Sequence, residues 1–166
     1  PHPPDEFVHQ HIPAGMLREP LSSLKRADVI VLTKTDQAPQ NISELKSRLR
    51  RMHSHAPVIE TVHNPCLVVA LGGGQQKDAA FLSGKKIAAF CSVGDPEGFK
   101  NTLATVGADV RKIFAFPDHH AYTGKDISDI TAYAAARSLD AVVTTAKDAV
   151  KLTPFRSTLQ KTPCWV

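Results

Sequence analysis

A regular alternation over residues 86–152 constrains this chain more than any other feature. Three short apolar runs, "KIAAFCSV" (86–93), "VRKIFAF" (110–116) and "DAVVTT" (140–145), carry the β-branched and aromatic residues of buried strands. Between them lie two segments with helix start and stop signals. In "DPEGFKNTLATVG" (95–107), Asp95 stands at the N-cap, Pro96 at the first helical position and Gly107 at the stop. In "TGKDISDITAYAAARS" (123–138), Thr123 caps and Asp126 follows three residues on. A short helix over 146–152 closes the series. Strand–helix–strand–helix–strand requires a parallel sheet with right-handed crossovers, so the fold class is α/β, a small Rossmann-like parallel-sheet domain. In such sheets ligands sit beyond the carboxyl ends of the strands. Three groups of residues fall there: Gly94 and Asp95, then Asp118, His119 and His120, then Thr144 through Asp148.

Upstream, "ADVIVLT" (27–33) and "PVIETV" (57–62) read as strands. "NISELKSRLRRM" (41–52) places Ile42, Leu45, Leu49 and Met52 on one helical face, and Asn41 followed by Glu44 has the form of a capping box. "ALGGGQQKDAAFLSGK" (70–85) is glycine-rich and polar, which marks residues 71–85 as a linker between a first region, 1–70, and a C-terminal α/β domain, 86–166. The chain opens on "PHPPDEFVHQHIPAG" with no evident element and stops at "TPCWV", which has the look of a strand beginning. Both ends read as cuts, and the expectation is a fragment of a longer protein.

Composition narrows the classes. Hydrophobic residues make up 42% and charged residues 22% of 166, ordinary for a globular domain. The three cysteines, Cys66, Cys91 and Cys164, form no CxxC pair and are read as reduced thiols. No apolar run approaches the length of a membrane span, and no secretory leader pattern opens the chain. The net charge of +4 is a mild basic bias, suited to phosphates or an anionic membrane surface. Lys46, Arg48, Arg50 and Arg51 on the 41–52 helix are a solvated face or, on the sharper reading, a contact for such a surface.

Four motifs could carry chemistry. "FPDHHAYT" (116–123) puts Asp118 beside His119 and His120. A histidine titrates near neutrality, and a neighbouring carboxylate supports its protonated form, which is what removing a proton from a hydroxyl requires. The other reading is a polar loop capping a strand. His9, His11, His53 and His55 add imidazoles, but there is no HExxH or Cys/His framework, so no metal site is expected. "TTAKDAVKL" (144–152) sets Thr145, Lys147, Asp148 and Lys151 at a strand-to-helix turn, where a phosphate could be held or where the helix is merely capped. "PAGMLREP" (13–20) offers Arg18 and Glu19, a bidentate grip on an anion or a structural ion pair. "TKTD" (33–36) follows a strand and is similar to the guanine-reading element of GTPases, with Asp36 as the base contact. Nothing fits GxxxxGK[ST], so the chain carries no P-loop.

Taken together, "IPAGMLREPLSSLKRADVIVLTKTD", "GDPEGFKNTLATVGADV", "FPDHHAYTGKDI" and "AVVTTAKDAVKL" resemble, in order and spacing, the tetraacyldisaccharide 4'-kinase (lipid A 4'-kinase) family. The resemblance covers nearly the whole chain. It implies a P-loop kinase-like remnant in 1–70, the truncated end of a nucleotide-binding domain, followed by the smaller α/β domain. It implies phosphoryl transfer from ATP, with Mg²⁺, to the 4'-hydroxyl of a lipid A disaccharide precursor, by an enzyme peripheral to the cytoplasmic face of the bacterial inner membrane, with no nucleic acid as partner. His119 or His120 would help activate the sugar hydroxyl with Asp118 in support. Arg18, Glu19, Lys147 and Thr145 would serve substrate or phosphate binding. The pattern departs from the family at Asp95, where Asn is usual, at Ala146, where Glu is common, and in lacking the P-loop and an upstream acidic segment. The chain by itself is therefore expected to be inactive. A non-catalytic binding module and a GTPase-like fragment are the alternatives.

Overall fold

The computed structural model describes residues 17–37, 39–159 and 162–166, and the chain divides into two compact units, 1–63 and 64–166. In the first unit, β1 (Ile30–Leu32) pairs in parallel with β2 (Val58–Glu60), with α1 (Pro39–Met52) between them in sequence. Ile30, Leu49 and Ala56 are buried, with Leu24, Ala27, Leu32 and Val58 packed around them. A 3-10 turn over Leu21–Arg26 precedes β1. The two strands fall within the expected segments and are shorter, while the helix ends as expected at Met52. The expected Asn41 cap is corrected: α1 begins at Pro39, so Asn41 lies inside its first turn. A proline's fixed φ favours the first helical position, and this moves the start upstream.

The second unit is built on a four-stranded, wholly parallel sheet in the order β6 (Asp109–Ala115), β5 (Lys86–Cys91), β7 (Ala141–Thr144), β8 (Cys164–Trp165). α2 (Pro96–Thr105) joins β5 to β6, and α3 (Gly124–Ala136) joins β6 to β7. β5 is covered on both faces. Ala88, Phe90 and Val142 pack with Ile127 and Ile130 of α3 on one side, while Ile87, Ala89 and Val143 pack with Leu103 of α2 on the other. That explains why residues 87–91 form an unbroken apolar run rather than an alternating one.

The caps read from sequence for α2 and α3 are present. Asp95 accepts from the Gly98 amide at 2.8 Å, and a Cβ at Gly98 would meet the Asp95 carboxylate at 2.2 Å, so this cap needs glycine there. Thr123 and Asp126 form a reciprocal capping box. The segment over 146–152 is broken into α4 (Ala146–Ala149), a 3-10 stretch from Val150 to Phe155, and α5 (Arg156–Leu159). Pro154 lies inside the 3-10 stretch, where a continuous α-helix would lose a backbone bond.

The glycine-rich stretch does not separate the two units. They part between His63 and Asn64, and residues 64–85 belong with the sheet. β3 (Leu67–Val69) and β4 (Gln76–Asp78) form an antiparallel hairpin around Gly72, Gly73 and Gly74, all at positive φ. Leu82, 1% exposed, is part of the core. β3 also reaches the far edge of the sheet, where the Val69 and Val166 backbones exchange hydrogen bonds of 2.9 and 2.8 Å. At the opposite edge, β6 carries a register shift beside Arg111. Lys112 lies 4.3 Å from the Phe114 ring centroid, and Arg137 lies 3.9 Å from that of Tyr133.

Candidate functional site

The sheet order places β6 and β7 on either side of β5, so the connections reverse between β5 and β7. The crevice beyond those two strand ends is where such sheets usually take a ligand. Here side chains from the two strand ends bond to one another. Asp148 of α4, fully buried, accepts from the Ser92 amide at 2.9 Å and the Ser92 hydroxyl at 2.5 Å. It also accepts from Thr145 Oγ1 at 2.7 Å and Lys151 Nζ at 3.1 Å, and Lys151 donates to Ser92 Oγ at 2.6 Å. Burial alone would raise the Asp148 carboxyl, but these donors outweigh it and hold the group below the ordinary carboxylate range. The hydroxyl of Thr145, expected at a phosphate, is engaged as the cap of α4. Nearby, the buried Tyr122 hydroxyl has no hydrogen-bond partner within ordinary geometry among the described residues, and desolvation pushes its pKa up.

The loop after β6 is a different kind of place. A turn closes from the His120 amide to the Pro117 carbonyl at 3.0 Å, with His119 in the left-handed region at φ +61. A non-glycine residue there is strained by about 1 kcal/mol. The two histidines then separate completely. The His120 ring stacks on Phe116, centroids 4.7 Å apart and planes 15° from parallel, and lies edge-on to Tyr122. Its Nε2 bonds Asp126 Oδ2 at 3.0 Å, which joins the histidine to the capping box of α3 and lowers the Asp126 carboxyl below its ordinary value. His119 instead has a side chain 79% exposed, with Nε2 3.6 Å from Asp118 Oδ2. Asp118 Oδ1 accepts from Lys147 Nζ at 2.8 Å and from the His119 amide at 3.0 Å. The hydrogen bond from Lys147 is the main reason the Asp118 carboxyl lies below the usual range.

The fold thus gathers Asp118, His119, His120, Thr145 and Lys147 at one end of the second unit's sheet. Arg18, Glu19 and Asp36 lie in the first unit. Glu19 pairs with Arg26 rather than with the adjacent Arg18, beside a hollow of ≈ 410 Å³ lined by Leu17, Pro20, Leu21 and Leu24 among others. Arg18 is exposed, as is Asp36 in a 3-10 turn over Thr35–Gln37. His9 and His11 lie outside the described residues. The sequence reading gave Ser92 and Asp126 no role at this site, since each acts by a contact that only the fold makes. For Asp126 the capping-box spacing was the available signal.

An exposed acid–histidine pair thus stands at a strand end of an α/β sheet, and comparisons with known proteins place the chain. Residues 6–166 match the family model described as LpxK, Tetraacyldisaccharide-1-P 4'-kinase. The chain belongs to that family. It is 34% identical over 151 residues to the tetraacyldisaccharide 4'-kinase of Syntrophus aciditrophicus, covering 87% of this chain and 40% of that protein. It is 39% identical over 153 residues to that of Anaeromyxobacter dehalogenans strain 2CP-C, covering 89% of this chain and 39% of that protein. The fold is shared with a crystal structure of LpxK from Aquifex aeolicus in complex with ATP, at TM-score 0.59 and 23% identity over 96% of this chain and 42% of that one. The chain therefore spans about two fifths of the length of the relatives it matches.

Proposed function

We propose that the full-length protein to which this chain belongs is a tetraacyldisaccharide 4'-kinase, moving the γ-phosphoryl of ATP to the 4'-hydroxyl of a lipid A disaccharide precursor. On this reading it works at the cytoplasmic face of the bacterial inner membrane, bound peripherally. The family match over 6–166 supports the reaction class. The observation that carries the site is His119, held strained and solvent-facing with a carboxylate beside it. Its ring would take the hydroxyl proton as the oxygen bonds to the γ-phosphorus and the bond from that phosphorus to the bridging oxygen of departing ADP breaks, and Asp118 would favour the imidazolium that results. His120, already committed to Phe116 and Asp126, braces the loop.

The residues present here do not by themselves fit ATP with Mg²⁺. There is no glycine-rich phosphate loop in the sequence, and no group of three acid, histidine or cysteine side chains that could hold a metal is found among the described residues. Those contacts are assigned to parts of the family's length that this chain does not span, with 1–63 as the end of the nucleotide-binding domain and Arg18 as an electrostatic contributor.

The test is 4'-kinase activity of the full-length protein with ATP and a lipid A disaccharide precursor, beside His119→Asn and His120→Ala. Asparagine tolerates the left-handed backbone, so it removes the imidazole and keeps the turn. We expect about a 10²-fold fall for His119→Asn, the size of lost general-base catalysis. Unchanged activity in that variant sinks the base assignment. An inactive parent favours the binding-module reading.

A further inference from the structure

We propose that Lys147 is a positioning residue for His119, acting through Asp118, rather than a contact for phosphate. For its kinetic arm the inference rests on the kinase reading above. The geometry begins with a division of labour between neighbours. Asp148 faces inward and is fully buried on Ser92, which fastens the β7–α4 turn to the end of β5. Lys147, one residue earlier, faces outward, and its ammonium meets Asp118 Oδ1 at 2.8 Å. The turn that is locked to β5 therefore also reaches the loop after β6. Without that reach, the hydrogen bond left to the Asp118 side chain among the described residues would be the one from the amide of the next residue.

Asp118 has two oxygens and divides them. Oδ1 takes Lys147 and the His119 amide, while Oδ2 is left toward His119 Nε2, 3.6 Å away. The lysine fixes which oxygen meets the imidazole and offsets part of the carboxylate charge beside it. A bare exposed ion pair contributes little to stability, and both partners here are nearly half exposed, so folding does not account well for the arrangement. Its consequence is orientational, and orientation governs rate: a small misplacement of a reacting group lowers turnover far more than it lowers stability.

A double-mutant cycle in the full-length protein, with an NMR measurement on this chain, decides the matter. Lys147→Met and Asp118→Asn should each lower kcat about tenfold while leaving KM for ATP and for the lipid within about twofold. The double variant should be no slower than the worse single variant, because both remove one device. Lys147→Arg should restore most of the rate. In the NMR arm, Lys147→Met at fixed pH should move the His119 imidazole cross-peak and leave that of His120 in place. Multiplying losses with a raised KM for ATP overturn the proposal and return Lys147 to phosphate binding. An unmoved His119 cross-peak overturns it too. Should the full-length protein show no kinase activity, the NMR arm still decides, since the coupling it reads does not depend on turnover.

Discussion

The two units are written in the same βαβ grammar and reach different depths of burial. In the second, β5 has a strand on each side and a helix on each face, and Ile87, Ala88, Ala89, Phe90 and Cys91 are all 0% exposed. In the first, β1 has one partner strand among the described residues. Ile30 is 7% exposed, but Val31 is 52% exposed and its register partner Ile59 is 48% exposed. The difference teaches that a strand's apolar run states what the fold intends to cover, whereas its neighbours decide what is covered.

The largest expected effect sharpens this contrast. Phe90→Ala should cost about 3–5 kcal/mol by denaturant unfolding, the range for emptying a closed aromatic site. Leu49→Ala, in the small first core, should fall near the lower end of the leucine range, about 2 kcal/mol. Equal losses would break the comparison.

An intermediate effect tests the buried carboxylate. The Asp148 pKa is lowered on folding, so its contribution is fully present above the ordinary carboxylate value of about 3.9 and is lost as pH falls through the folded value. The second unit should therefore lose stability below about pH 4, and Asp148→Asn should flatten that limb in thermal melts taken across the acid range. A mirror-image window exists at high pH. Burial pushes Cys164 from 9.0 up to about 12, so what the neutral thiol contributes is present below its ordinary value and is lost as pH rises toward about 12.

The smallest effect lies on the bare face of the first unit. Val31→Thr should change stability by no more than about 0.5 kcal/mol, because the side chain already meets solvent and threonine keeps the branched β-carbon. A loss of 2 kcal/mol or more would mean that this face is covered in solution, and would erase the contrast with β5.

Much of the second unit was legible before any coordinates. Pro96, Gly107 and the Thr123–Asp126 spacing mark helix ends by local chemistry, and local chemistry survives folding. The β3–β4 hairpin was not, since three glycines in a row look like slack until Val69 is seen bonded to Val166 nearly a hundred residues away. At the site, "PDHH" was visible as a motif, but two identical side chains in sequence could not be told apart. What separates them is a ring beneath one and an inverted backbone under the other. Thr145 was legible as a cap from its place before Ala146, and that cap is present, whereas the contact of Lys147 with Asp118 is made by the turn and leaves no mark in the spacing.

The far strand of the sheet has one further meaning, for how the protein behaves in a crowded solution. An open strand edge is a template on which another chain can lengthen the sheet, and apolar edges lead to aggregates. At β6 the register shift interrupts that template, and Arg111 and Lys112 put charge along it, with Lys112 laid over an aromatic ring. At β8 the backbone of β3 already occupies part of the vacancy. Exchanging Arg111 and Lys112 for valine would leave the buried side chains of β5 untouched and would turn the tidy rim of this sheet into an adhesive one.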